Sequence, residues 1–262
     1  MDNDRYQTLR YDVSDGIATI TLDRPPLNLI DREMTLEYHG ALDSANEDDT
    51  VRVIVLRGAG KGLSAGVNLR YLEQFDGAEM GDFLSLFYVE TVRKVRALDK
   101  PIIAAVHGNA MEGACTLAFA CDMIIAADDA RFGYPGVPNL AAPPGMHVWY
   151  LQRLIGRFKA AELIFTGEPI AASEAASLGL VTRLVPAAEL TAQTRELAGR
   201  IAEMSPAALR QARDLMYAME DMPFSEVPEA ALAAMKQAFD TVDSREARSA
   251  FLEKRHPVWK GK

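Results

Sequence analysis

Apolar and polar side chains alternate on both sides of Asp15-Gly16 in "LRYDVSDGIATITL". A period of two around an Asp-Gly pair predicts a tight β-hairpin. In "DREMTLEYHGALDSANEDD" the apolar residues recur at helical spacing, so this segment reads as an amphipathic helix. "VRVIVLRGAG" is a nearly unbroken apolar run, a strand leading into the small-residue loop "KGLSAGVNLR". "MGDFLSLFYVETVRKVRALDKP" predicts one long helix that stops before Pro101. "PIIAAVHGNA" reads as a strand buried on both faces, "GACTLAFACD" as an apolar helix, and "MIIAADDARFGYP" as a further strand.

Strand and helix thus alternate over roughly the first 150 residues, the pattern of βα units with parallel pairing. The last third differs. "RFKAAELIFTG", "AASEAASLG", "ELTAQTRELAGRIAEM", "PAALRQARDLMYAME" and "EVPEAALAAMKQAFD" all show helical spacing, and only "LVTRLVP" reads as extended. The chain ends on an amphipathic helix with a basic tip.

The charge balance narrows the function. Against 28 Lys and Arg stand 37 Asp and Glu, a net charge of -9, which argues against nucleic acid as a partner. No apolar run approaches the roughly 18 residues of a membrane span, and the polar, acidic N-terminal stretch does not read as a signal peptide. Cys115 and Cys121 fall on different faces of one predicted helix, so they read as small core residues of a reducing, cytoplasmic protein.

Two small-residue loops carry the candidate chemistry: Lys61–Arg70 and "HGNAMEGAC". Each follows a strand and leads into helical sequence. Ligands of open α/β sheets sit beyond the carboxyl ends of strands. Two such loops side by side could aim two backbone N–H groups at one oxygen, with a helix dipole behind them, as an oxyanion hole does. The bland alternative is close packing of strand against helix. Neither loop has a glycine-lysine-serine run or a dinucleotide fingerprint.

"SAGVNL" resembles the S-A-G-x-D-[LI] element of the crotonase superfamily, the enoyl-CoA hydratases and isomerases. "HGNAMEGACTLAFACDMIIAADDARFGYP" is similar to that family's N-G-x-A-x-G-G-G-x-x-L-A-x-x-C-D block followed by A-x-F-G-x-P. "RLIGRFKAAELIFTGEPIAASEAASLGLVTRLVP" and "AFLEKRHPVW" match later blocks in family order. The resemblance implies an α/β spiral of ββα units (residues 1–200) and a C-terminal helical region (201–262) for trimerisation and for covering the acyl pocket. It implies an acyl-CoA substrate and a homotrimer or dimer of trimers. The thioester oxygen would rest on the amides of Val67 and Gly113. CoA would lie against Leu27, Asn28, Ala65, Val67, Leu69 and Arg70, with Phe251 and Lys254 reaching the CoA of a neighbouring subunit. No metal is implied, and no cofactor beyond the CoA of the substrate.

The departures are as informative. The two positions where family hydratases carry glutamate are Thr116 and Gly136, and the place where other relatives put an acid falls near Pro144. Threonine is no base near neutral pH and glycine has no side chain. Glu112 replaces the glycine before Gly113. At a helix N-terminus its carboxylate would be favoured and its pKa lowered. It reads as a solvent-facing cap, as a relocated acid/base, or as a contact to CoA or to a neighbouring subunit.

Tyr134 could present a phenol to the acyl pocket or pack in the core, and His147 could act as acid/base or sit as a hydrogen-bonded core histidine. His107 reads as structural, as does Asp122. Glu90 lies on a helix that lines the acyl pocket in relatives, its face unsettled, and Trp149 and Tyr150 wall that pocket or fill core. The glycine at 136 also resembles relatives in which bound bicarbonate replaces the missing carboxylate.

The leading expectation is an acyl-CoA enzyme that stabilises a thioester enolate. The alternatives are a decarboxylase, a C–C bond-cleaving enzyme or an isomerase, or a non-catalytic acyl-CoA-binding homologue.

Overall fold

The computed structural model describes residues 5–143 and 145–261. β1 (Leu9–Ser14) and β2 (Ile17–Leu22) form the expected hairpin, with Asp15 and Gly16 both at positive φ. α1 (Arg32–Glu47) begins at Asp31, whose carboxylate accepts the Met34 N–H at 3.1 Å. That contact satisfies one of the helix's free donors.

Each of the three strands read from an apolar run is followed by a second, short strand; the first of these lies in the segment that reads as a small-residue loop. β3 (Val53–Gly58) is followed by β4 (Gly62–Ser64), β5 (Ile102–Val106) by β6 (Asn109–Met111), and β7 (Met123–Ala127) by β8 (Arg131–Gly133). The first member of each pair lies in a six-stranded sheet ordered β1-β2-β3-β5-β7-β10, the second in a four-stranded sheet ordered β4-β6-β8-β9. Gly108 marks one of the breaks. It has positive φ, and a Cβ there would lie 2.0 Å from the Lys61 carbonyl oxygen. Only glycine allows the chain to cross between sheets at that point. The apolar run does not reveal that the chain changes sheets here, because Val106 before the break and Ala110 after it are both fully buried.

Helices follow the pairs: α2 (Leu69–Leu72), α3 (Gly77–Leu84) and α4 (Thr91–Arg96) after the first, α5 (Gly113–Ala120) after the second. The result is the expected spiral of ββα units. α3 and α4 do not form one regular helix, however: Ser85–Glu90 between them is a π-helical turn. α5 is buried at every residue, which is why its sequence is apolar all round.

The chain continues through α6 (Gly136–Leu140), α7 (His147–Ile155), α8 (Arg157–Thr166), β9 (Ile170–Ala171), α9 (Ala172–Ser177), β10 (Arg183–Val185) and α10 (Leu190–Ala202). β9 is only two residues long, too short to leave a periodicity. Alternation within β3 divides the core: Ile54 and Leu56 face the packing of α1 and α5, while Val53 and Val55 face α10 through Leu190 and Ala198.

The C-terminal region comprises α11 (Pro206–Met219), α12 (Val227–Phe239) and α13 (Val242–Glu253). Arg213 of α11 fastens it to the core. Its Nε donates to Asp122 Oδ2 at 3.0 Å, and its other nitrogens donate to the carbonyls of Val95, Arg96 and Leu98 at the end of α4. Asp122 also accepts from Ile102 N–H and from the Tyr217 hydroxyl, so its structural reading holds. α12 buries no residue in the single chain and leaves Leu232, Met235 and Phe239 exposed. No helix among the described residues is long and apolar enough to cross a membrane.

Candidate active site

The first loop is pinned from beneath by side chains. The Ser64 hydroxyl donates to the Asn28 carbonyl at 2.6 Å and accepts the Gly66 N–H at 3.0 Å. Asn28 is held in turn, its amide donating to the carbonyls of Ala59 at 2.9 Å and Leu63 at 3.1 Å. Ile30 then forms a parallel bridge with Val67, donating to Gly66 O and accepting from Asn68 N. A parallel bridge uses the residues on either side of its partner. The N–H of Val67 itself therefore points away from Ile30, and it donates to no acceptor among the described residues.

The second loop emerges beside the first because β4 and β6 pair in parallel, Gly62 opposite Asn109 and Ser64 opposite Ala110. The fit is close: a Cβ added to Gly66 would lie 3.0 Å from Cβ of Glu112. Gly113 opens α5, and its N–H likewise finds no acceptor among the described residues. A Cβ at Gly113 would stand 2.8 Å from the Phe87 ring and 3.2 Å from Ile30 Cδ1, so a side chain there requires the Phe87 ring to move. Two unbonded amides thus lie on adjoining loops, one of them at the positive end of a buried helix.

Glu112 departs from its sequence expectation in two ways. It makes no capping hydrogen bond, and its carboxyl turns inward, with Oε1 buried and unpartnered. Burial pushes its pKa up from 4.5 to about 7 rather than down. Desolvation outweighs the helix dipole because no N–H of the helix reaches the carboxylate. The backbone of Glu112 is also unusual for a side-chain-bearing residue, with φ 47 and ψ -114. Such conformations cost roughly 1–3 kcal/mol and persist where the surroundings enforce them. Here the Glu112 N–H is tied to Gly133 O at 2.9 Å.

Around Glu112 lies a cluster of polar side chains. Its charge is felt by Tyr88, Cys115 and Tyr134, each of which is held protonated mainly by burial. Thr116 is fully buried, and its hydroxyl lies 3.1 Å from Nε2 of His147. Burial lowers the His147 pKa to about 3, the Glu112 carbonyl pulling weakly the other way, so the imidazole is neutral. That neutrality opposes the acid/base reading of His147. Tyr134 packs edge-on to His147, ring centroids 4.6 Å apart. Its hydroxyl has the Cys115 sulfur beside it but no hydrogen bond of normal geometry. Both cysteines are free and buried, as expected.

The other sequence candidates fall as follows. Leu27, Asn28 and Ala65 line a shallow hollow together with Lys61, Ser64 and Asn109. Val67 is half-buried, and Leu69 and Arg70 are exposed beside it. Phe251 is 83 % exposed on α13, and Lys254 ends that helix in left-handed conformation, both distant in sequence from the hollow. Gly136 begins α6, and Pro144 lies outside the described residues. His107 Nε2 donates to the Gly60 carbonyl oxygen, 3.0 Å away, a structural role. Glu90 pairs with Arg93 on the exposed face of its helix and does not face the cluster. Tyr150 lines a groove under α11 rather than the cluster. The sequence reading missed Ser64, Lys61 and Tyr88. The serine of "SAG" carried a signal, since a hydroxyl two residues before a glycine N–H can fix a turn; Tyr88 carried none.

Among the described residues no group of three or more His, Cys, Asp and Glu is placed to hold a metal ion.

The chain is similar to known proteins over nearly its whole length. The family profile for enoyl-CoA hydratase/isomerase matches residues 12–262. A probable enoyl-CoA hydratase of Bacillus subtilis is 35% identical over 95% of this chain and 97% of its own. A crotonyl-CoA hydratase of Syntrophomonas wolfei is 32% identical over 95% and 96%. The crystal structure of an enoyl-CoA hydratase from Geobacillus kaustophilus superimposes with a TM-score of 0.93 at 31% identity, covering 98% of each chain.

Proposed function

The chain belongs to the enoyl-CoA hydratase/isomerase family, and from that premise we propose that it transforms acyl-CoA thioesters through an enolate, with Glu112 as the group that moves the proton. The thioester oxygen accepts from the N–H groups of Val67 and Gly113. The Glu112 carboxylate takes a proton from the carbon next to the thioester. The C–H electron pair forms a C=C bond to the carbonyl carbon, and the carbonyl π pair moves onto oxygen, where the two amides and the α5 dipole hold the charge. In a β,γ-unsaturated thioester that enolate is a dienolate: the oxygen pair re-forms the carbonyl, the enolate C=C pair becomes the α,β double bond, and the β,γ π pair takes the proton back from Glu112 at the γ carbon, which completes an isomerisation.

One observation carries this reading: a half-buried carboxyl whose Oε1 is buried and unpartnered, with a pKa near 7, one residue from an unbonded amide at a helix N-terminus. An acid poised near neutrality is what proton transfer needs. A fold kept only for binding gains nothing from it, which disfavours the non-catalytic alternative. Hydration by two acids is disfavoured by Thr116 and Gly136. Hydration with Glu112 as the one acid–base group is the second reading, favoured by the names of the relatives.

A panel of acyl-CoAs in deuterated water tests the proposal. The expected result is deuterium at the carbon next to the thioester for at least one substrate, read by mass spectrometry. Absence of both exchange and turnover across the panel would overturn it.

A further inference from the structure

Tyr88 enters the cluster by an uncommon route. It sits in the π-helical turn Ser85–Glu90 between α3 and α4. Neighbouring residues of a regular α-helix point about 100° apart and do not pack against one site together. In this wider turn Phe87 closes over Gly113, while the next residue, Tyr88, faces His147 edge-on at a centroid separation of 6.2 Å. The rings of Phe87 and Tyr88 are themselves 4.8 Å apart. The opposite wall is shaped to fit: Gly145 has positive φ, and a Cβ there would lie 3.1 Å from the Tyr88 ring. Single π-turns inside helices concentrate at functional sites.

We propose that Tyr88 contacts the acyl group, its phenol serving as the hydrogen-bond donor of the acyl end of the site and selecting thioesters that carry an oxygen beyond the thioester carbonyl. The inference rests on the acyl-CoA reading above. Burial keeps the phenol protonated, so it can donate a hydrogen bond, and its oxygen is not among the buried side-chain atoms left without a partner. A donor in the wall that also holds Phe87 and His147 suits an acyl chain with a polar substituent. A plain hydrocarbon chain would leave the phenol without a partner.

Calorimetry with three probes tests this: CoA, butyryl-CoA and acetoacetyl-CoA, which differs from butyryl-CoA by the β-oxygen. Wild-type protein should bind acetoacetyl-CoA at least fivefold more tightly than butyryl-CoA. Tyr88→Phe, which keeps the ring, should bind CoA within twofold of wild type and lose the preference between the two thioesters. A preference that survives in Tyr88→Phe, or wild type without one, overturns the assignment of Tyr88; the wild-type arm decides even if the variant does not fold. If wild type binds neither thioester more tightly than CoA itself, the acyl-CoA reading falls instead.

Discussion

The Thr116 hydroxyl lies 3.1 Å from Nε2 of His147, and both side chains are sealed from solvent. The contact ties α5 to α7 at one of the two positions that the resemblance aligns with a hydratase glutamate. It is a neutral pair, a hydroxyl against an imidazole that burial keeps uncharged. The one carboxyl in the cluster is four residues earlier, on Glu112.

Glu112→Gln should lower turnover by at least about 100-fold, within the range of general acid–base contributions. CoA affinity should stay within a few-fold, because Glu112 is not among the residues that line the hollow at Leu27, Asn28 and Ala65. As a base Glu112 must be ionised, so wild-type kcat/KM should rise with pH through about 7, and the variant should lack that limb. A pH profile of both proteins checks this; an identical limb in Glu112→Gln would remove Glu112 from the mechanism.

The same carboxyl should make the fold less stable at higher pH. Its folded pKa of about 7 lies above its ordinary value of 4.5, so the native state holds the proton longer than the unfolded chain does. The contribution is full below about 4.5 and is lost as pH rises through about 7. Discounted for partial exposure, the loss is about 1–2 kcal/mol. Urea melts of wild type and Glu112→Gln at pH 5 and pH 8 should show the gap between them changing by that amount, with the variant gaining relative stability at pH 8.

Glu112→Gly should stabilise the protein by about 1–2 kcal/mol at pH 8, since glycine adopts φ 47 without penalty. Turnover should fall as in Glu112→Gln. A glycine variant that is both less stable and fully active would contradict the strain and the chemistry together.

Gly113→Ala should cost about 1–3 kcal/mol by overpacking and lower turnover on every substrate. The added methyl meets Phe87 at 2.8 Å. Phe87→Leu in the same chain should restore much of the stability, measurable by thermal melting. A lone Gly113→Ala that melts with wild type would show that Phe87 yields freely.

Ser64→Ala should leave the Gly66 N–H and the Asn28 carbonyl without their shared hydroxyl, at a cost of about 1–3 kcal/mol. Turnover should drop about tenfold or more through the loosened Val67 amide, while Glu112 keeps its pH limb. Unaltered kinetics would mean that backbone pairing with Ile30 suffices to set the loop.

Much of the architecture was legible because burial repeats. The hairpin at Asp15-Gly16, the amphipathic α1 and the all-apolar α5 each carry a period or a turn signal. The spiral itself was legible only through resemblance: Val106 and Ala110 are equally buried, so nothing in the pattern marks Gly108 as the crossing between two sheets. The two loops were identifiable from their small residues. The direction of Glu112 was not, because a helix N-terminus and a buried pocket shift a carboxyl in opposite senses and only the fold decides between them. Tyr88 was hidden for a different reason. A π-turn changes which residues share a face, and a fixed helical period assigns that face wrongly.

The backbone of Glu112 has a consequence for descent as well as for chemistry. Either glutamate codon becomes a glycine codon by one base change, and the glycine would be tolerated better by the fold. A lineage with no use for the carboxyl has a short path away from it and every structural inducement to take that path. Retention of glutamate at residue 112 is thus a readout of use: natural variation in sister lineages should keep the acid where the reaction is needed and drift to glycine where it is not.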